Sequence, residues 1–237
     1  MRPNCRCHDL VIWVCPSTLS TPEDVRMLVK HPVFARVYDR MSVGAENAGA
    51  ADHRDRMLAD LVGSVVEVGA GTGLNFRHYP STVVDVTAIE PEPYLRARAE
   101  SAAEQSGVAI RVLDGTADAL PLASSSVDAG VASLVLCSVA NPDQALLELH
   151  RVIRPGGELR FYEHVGATQP RWARFQRRAD PIWSRFGGGC HLTRDTERAI
   201  VAAGFEIESC DHFLFQPSWT AKLAAPHILG RARRSAT

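Results

Sequence analysis

The sequence predicts an α/β domain built on a largely parallel sheet with crossover helices. Three observations carry that expectation. Short apolar runs alternate with helical patterns from Val65 onward, the order that generates βαβ units. A glycine-rich stretch, with Gly69, Gly71 and Gly73, joins one apolar run to the next helical segment. Residues 127–136 are apolar on both faces, as a strand at the centre of a doubly covered sheet must be.

Hydrophobic residues make up 46% of the 237-residue chain, which suits one domain and leaves little for a second. Lysine and arginine (26) nearly balance aspartate and glutamate (27), so no global field favours nucleic acid or an anionic membrane. The six cysteines, Cys5, Cys7, Cys15, Cys137, Cys190 and Cys210, are too dispersed for a disulfide framework and fit a reducing interior. No apolar run approaches the roughly 20 residues that span a bilayer, and residues 10–14 are shorter than a secretory core of about 7 to 15 residues. The expected location is therefore cytoplasmic. Residues 1–26 share no periodicity with the rest. They read as an extension, either disordered or upstream of a start at Met27, and residues 27–237 as a single domain.

Residues 23–38 place Val25, Leu28, Val29, Phe34, Val37 and Tyr38 at helical spacing, interrupted at Pro32, and read as a lid-like segment. A helix over 53–61 turns Met57, Leu58 and Leu61 inward and ends at Gly63. Seven strands are expected, over 65–68, 83–89, 108–113, 127–136, 158–165, 205–215 and 227–233. Between them lie helices over 74–79, over 92–105 with Leu95, Ala99, Ala102 and Ala103 inward, and over 193–203, closed by Gly204. The clearest helix start is Asn141-Pro142-Asp143-Gln144, with an N-cap residue, proline at the first helical position and glutamine at the capping-box position. Leu146, Leu149 and Ile153 come next on one face, and Pro155-Gly156-Gly157 stops the helix.

Glycines between a strand and a helix let the main chain turn sharply and approach a ligand, while the following helix offers free N–H groups. The dinucleotide fingerprint requires glycine where Leu74 stands, which disfavours a nicotinamide oxidoreductase. Glu67 precedes Gly69 by two positions to give E-x-G-x-G-x-G, and Glu90 ends the second strand. Together these resemble the class I S-adenosylmethionine-dependent methyltransferases, the type 11 or UbiE-like superfamily. Gly115-Thr116-Ala117-Asp118-Ala119-Leu120-Pro121 resembles the segment that borders adenine in that class, with Thr116 at the usual aspartate position. The runs over 133–139, 161–165, 180–183, 188–194 and 226–230 are similar to the methyltransferase-like thiol S-methyltransferase group and related actinobacterial methyltransferases. The likeness covers about residues 32–233.

The resemblance implies a Rossmann-like fold, with a seven-stranded mostly parallel sheet, one antiparallel strand and helices on both faces. It implies S-adenosyl-L-methionine as cofactor, held by Glu67, Gly69, Ala70, Gly71, Gly73, Glu90, Pro91, Thr116, Ala117, Ser133 and Leu134. The eukaryotic members carry a membrane-anchoring N-terminus that this sequence does not show, so membrane contact is not expected. The partner is a small-molecule methyl acceptor, with thiol sulfur the leading choice and a phenol, quinone or lipid-like O- or C-acceptor the alternative. A non-catalytic cofactor-binding protein is the remaining class.

Methyl transfer from a sulfonium is an in-line displacement, so the protein must mainly align the partners and exclude water. His164, at the end of the fifth strand, and His191 are the candidate bases, with Glu163 on the opposite face from His164. Tyr38, Cys137, His164, Trp183 and His191 are expected to line the acceptor side. Residues 166–192 form a cap-like insertion in which Arg171, Arg174, Arg177, Arg178 and Arg185 interleave with Trp172, Phe175 and Trp183. That pattern reads as a solvated amphipathic helix. No metal is expected: Cys190 and His191 are merely adjacent, and Cys5, Cys7, His8 and Cys15 lack the usual spacing. Oligomeric state is not legible.

Overall fold

The computed structural model describes residues 32–236. The extension over 1–26, its Cys5, Cys7, His8 and Cys15, and the first part of the helix expected over 23–38 lie outside the described residues. The elements in chain order are α1 (Pro32–Ala45), a π-helical turn (Glu46–Ala50), α2 (Ala51–Leu58), β1 (Gly63–Val68), a 3₁₀ turn (Phe76–His78) and β2 (Val83–Ile89). They continue with α3 (Pro93–Ala103), β3 (Ala109–Leu113), β4 (Val127–Ser133), α4 (Pro142–Val152), β5 (Ile153–His164) and α5 (Pro170–Phe186). Last come α6 (Thr196–Ala202), β6 (Phe205–Leu214), a 3₁₀ helix (Trp219–Ala224) and β7 (Pro226–Arg234). Among the described residues, no helix is long and apolar enough to cross a membrane.

The seven strands form one sheet in the order β3-β2-β1-β4-β5-β7-β6. Strands β1 to β5 pair in parallel, and β7 runs antiparallel to both β5 and β6. The sheet thus has the expected strand number, with one reversed strand. Chain order reverses beside β1, which lies between β2 and β4. In open α/β sheets the crevice beyond the carboxyl ends at such a point is where ligands gather.

Strand alternation divides the interior into two apolar layers. Val66, Val68, Leu159 and Phe161 pack with Leu146, Leu149, Ile200 and Phe205 on one side. Val65, Ala129, Val131 and Tyr162 pack with Met57, Leu58, Phe76 and Ala99 on the other. The Asn141 carboxamide accepts the Gln144 N–H at 3.1 Å, so α4 starts where its capping sequence predicts.

The differences from the sequence reading are local. Pro32 stands at the first position of α1, where proline is tolerated. The helix expected over 74–79 contracts to one 3₁₀ turn because the glycine loop runs on to Gly73 (φ +81°). The fourth strand stops at Ser133 because Leu134 adopts a left-handed φ of +56°. Residues 153–157 join β5 instead of ending α4, and α6 begins only after Asp195, whose carboxylate accepts the Arg198 N–H.

Gly230 illustrates how tightly the reversed strand is inserted. A Cβ there would lie 2.1 Å from the Ser209 carbonyl oxygen and 2.7 Å from the Phe161 ring. Backbone on one side and a core aromatic on the other cannot both give way. Gly230→Ala is expected to lower unfolding free energy by at least about 2 kcal/mol, read from urea melts; an unchanged midpoint would show that the β6–β7 pair spreads freely.

Candidate functional site

The loop after β1 turns on three left-handed glycines, Gly69 (φ +64°), Gly71 (φ +58°) and Gly73 (φ +81°). A side chain at Gly69 would strike Val135 at 2.3 Å, and one at Gly73 would strike Phe76 at 2.7 Å. Tyr38 of α1 lies over Gly71, 3.6 Å from where its Cβ would be. The Gly69 and Ala70 N–H groups donate to the Ile89 carbonyl, which ties the loop to the end of β2. There Glu90, 5% exposed, accepts the Gly71 N–H at 2.8 Å on one oxygen and the Glu92 N–H at 2.9 Å on the other. Burial, against those two bonds, pushes its carboxyl up to about 7. A carboxylate has roughly four acceptor positions, so each oxygen retains capacity for a further donor. The Pro91 carbonyl is held by Arg96, which also bonds that of Glu90.

Glu67 points into the core layer beneath this loop. Its oxygens accept from the Asn75 carboxamide at 2.8 Å and the Tyr79 hydroxyl at 2.6 Å. Burial raises it to about 7, opposed by those bonds and by Arg54. Arg54, also buried, bonds Glu46 at 2.7 Å, the Asn75 oxygen at 2.6 Å and the Ser133 hydroxyl at 3.1 Å. One guanidinium thus links the π-helical turn, the residue pairing with Glu67 and the end of β4. Beyond β3, Thr116 and Ala117 are half-buried in a turn closed by the Ala119 N–H to the Thr116 carbonyl.

After Ser133 the chain makes a turn that Glu163 organises. This fully buried carboxylate accepts the N–H groups of Val135, Leu136 and Cys137 at 2.9, 2.9 and 3.2 Å. Burial nonetheless lifts it to about 7. The Leu134 N–H donates to the Tyr162 carbonyl at 2.7 Å, which fixes the left-handed residue against β5.

The turn delivers Cys137 to a second loop. Gly188 and Gly189 adopt φ of +63° and +84°, and a Cβ at Gly189 would sit 2.9 Å from the Ser138 carbonyl oxygen. That close approach puts the Cys190 sulfur 3.8 Å from Cys137 Sγ and 3.4 Å from His164 Nδ1. The two thiols divide their acidity. Cys190 falls below the ordinary thiol range through its hydrogen bond with Cys137 and then through His164, whereas Cys137 is pushed well above it by that same bond and by burial. Trp183 of α5 packs its indole against Gly187, where a Cβ would lie 3.1 Å from the ring nitrogen. His191 is turned elsewhere: its Nδ1 lies 2.9 Å from the Asp180 carboxylate, and its N–H donates to the Cys137 carbonyl. The structure therefore brings Cys137 and His164 together around Cys190, sets Trp183 against the Gly187 turn that precedes it, and pairs His191 with α5.

Three comparisons bear on this arrangement. Residues 66–161, which contain the glycine loop, Glu90 and most of β5, match the methyltransferase domain family. The chain is 39% identical over 173 residues to the human thiol S-methyltransferase TMT1A, covering 71% of this chain and 70% of that protein. The chain belongs to the TMT1-like branch of the S-adenosylmethionine-dependent methyltransferases. It is 38% identical over 187 residues to rat thiol S-methyltransferase TMT1B, with 74% of each covered. In fold it resembles a possible histamine N-methyltransferase from Thermotoga maritima, at TM-score 0.65 and 20% identity over 85% of this chain and 97% of that one. The methyl donor of this methyltransferase is S-adenosylmethionine. The residues present fit it: the loop turns on three left-handed glycines that bare its main chain, and Glu90 keeps acceptor capacity beside it.

Several residues of the site escape a reading of the sequence. Arg54, Asn75 and Tyr79 carry no motif, and their partners lie across the fold. Glu163 shows in sequence only that it faces away from His164; nothing there reveals that a turn 26 residues earlier folds onto it. Gln176, at 0% exposure, accepts the Ala167 N–H and donates to the Leu223 carbonyl, which docks α5.

A group whose folded pKa is raised stabilises the fold most below its unfolded value near 4.3, and that contribution is lost as pH rises through about 7. Glu67→Gln, which keeps an acceptor for Asn75, is thus expected to gain stability relative to the parent between pH 5 and 7. The gain is up to about 1.4 kcal/mol per pH unit. Chemical denaturation across that range reads it, and a pH-independent difference would show Glu67 ionised throughout.

Proposed function

We propose that this methyltransferase acts on a small-molecule thiol, with the cofactor cradled by the Gly69, Ala70, Gly71 and Gly73 loop and its ribose held by Glu90. Identity of 36–39% to relatives named as thiol S-methyltransferases carries the choice of sulfur. Pro91, Thr116, Ala117, Ser133 and Leu134 border the nucleoside in this reading, with Glu67 setting the loop from beneath. The free thiols of Cys137, Cys190 and Cys210 suit a reducing compartment such as the cytoplasm.

When bound, the sulfonium supplies an electrophilic methyl group, and the remaining tasks fall to the chain. Tyr38, over Gly71, covers the loop and excludes water between the two halves of the site. Burial raises its phenol above the usual range, so it stays neutral and serves by shape and hydrogen bonding. His164, 2% exposed at the carboxyl end of β5, orients the acceptor. Because a thiol ionises near neutral pH, this assistance is modest. His191, paired with Asp180, serves to hold α5 over the acceptor side.

Glu90→Ala is expected to weaken adenosylhomocysteine binding at least tenfold by removing charge-assisted bonds. Gly71→Val should abolish binding, because a β-branched residue is strained at a φ of +58° and presses on Tyr38. Unchanged calorimetric affinity in both would overturn the cofactor placement. With labelled donor and a panel of alkyl thiols, phenols, quinols and lipids, label is expected in the thiols; transfer confined to oxygen or carbon acceptors would overturn the sulfur assignment. His164→Ala should lower kcat more than it alters donor affinity.

A further inference from the structure

The cluster of Cys137, Cys190 and His164 asks for more than packing. The three donor atoms come from three separate loops or strands, yet all lie within 4.8 Å of one another. Each is pinned by main-chain contacts. The Cys137 N–H is held by Glu163 and its carbonyl by the His191 N–H; the Cys190 N–H donates to the Gly187 carbonyl; His164 closes β5 opposite His227 of β7. The site is therefore preorganised. Two of its edges can be compared with coordination geometry. Zinc–sulfur bonds of about 2.3 Å and zinc–nitrogen bonds of about 2.0 to 2.1 Å, at tetrahedral angles, give edges of about 3.8 Å between sulfurs and about 3.6 Å between sulfur and nitrogen. The corresponding distances here are 3.8 Å and 3.4 Å.

A disulfide requires sulfurs about 2.05 Å apart and has no use for an imidazole. Two thiols with an imidazole nitrogen at the third corner are the donor set of a soft, borderline metal. The ring presents Nδ1 to the Cys190 sulfur and leaves Nε2 on its far side, where a ligating histidine carries its N–H. No local pattern in the chain hints at this grouping, because Cys190 is next to His191 while its ligand partners are 53 and 26 residues away.

We propose that Cys137, Cys190 and His164 form a three-ligand site for a thiophilic divalent cation of the zinc type, whose fourth position is open to an acceptor sulfur. Three protein ligands with an open position are the arrangement of a catalytic rather than a structural zinc site. An acceptor thiol that enters gives its proton to solvent as the metal–sulfur bond forms, and is thereby held as a thiolate at the end of β5. This last step rests on the thiol-acceptor reading; cation binding does not.

The test uses the full chain, reduced and handled without oxygen, with no methyl donor present. Titration with Co²⁺ alone is expected to give one equivalent bound, with the intense visible bands of tetrahedral cobalt and a near-ultraviolet thiolate-to-cobalt band. Cys137→Ser, Cys190→Ser and His164→Ala, checked for folding by circular dichroism, should each weaken binding at least tenfold. In the unaltered protein, stoichiometric Zn²⁺ should protect both cysteines from iodoacetamide, read by mass spectrometry, so the result does not depend on a variant folding. Absence of the tetrahedral spectrum, a spectrum untouched by the cysteine substitutions, unprotected cysteines, or recovery of the pair as a disulfide after reduction would each overturn the site. Adding a small alkyl thiol should shift the cobalt bands; a fixed spectrum would overturn the open position alone. Because none of these readouts involves methyl transfer, their failure is distinct from failure of the thiol panel.

Discussion

The N–H groups of Val135, Leu136 and Cys137 converge on the carboxylate of Glu163, and the rest of the site is arranged around that convergence. Three main-chain donors on one buried anion form a rigid nest of the kind ordinarily seen around phosphate or sulfate. Here the anion is covalently part of the neighbouring strand. The turn after β4 therefore has one conformation, which places Leu134 in the left-handed region and Cys137 against the loop carrying Cys190. Removing the carboxylate would leave three donors unpaired, the two buried ones, Leu136 and Cys137, each costing about 1 to 3 kcal/mol.

Arg54 does for the loop after β1 what Glu163 does for the turn after β4. Its guanidinium reaches Glu46, Asn75 and Ser133, and through Asn75 it steadies Glu67 beneath the glycine loop. A buried charge of this kind is worth little as net stability but is costly to leave unpaired. Its effect is to couple the segment holding Tyr38, the β1 loop and the end of β4 into one unit. The two networks come within two residues of each other along the chain, at Ser133 and Val135, so both loops share a common floor.

The fold is legible in the sequence because its signals are local. Alternating strand and helix patterns, the cap at Asn141 and the glycine loop each declare themselves within a few residues, and Leu74, standing where the dinucleotide fingerprint requires glycine, counts against a dinucleotide. The pairings across the sheet have no such signal. Glu163 is an ordinary acidic residue in a strand until the β4 turn is seen to fold over it. Cys190 reads in sequence with its neighbour His191, whereas the geometry joins it to Cys137 and His164, because strand ends bring distant residues to one rim. Element ends shift for the same reason: Leu134 leaves the strand to satisfy a partner that periodicity does not report.

Helix α5 is attached at two places of different character. Gln176 fixes its first half through neutral amide bonds, while Asp180 fixes its second half through His191 and the Leu192 N–H. Pro181 lies directly after the second attachment and removes one rung of the helical ladder. The last turn and a half, which carries Trp183, is held instead by the Gly187 N–H on the Trp183 carbonyl and the Gly189 N–H on the Ser184 carbonyl, so the helix runs into the loop that ends at Cys190 with no loose joint between them.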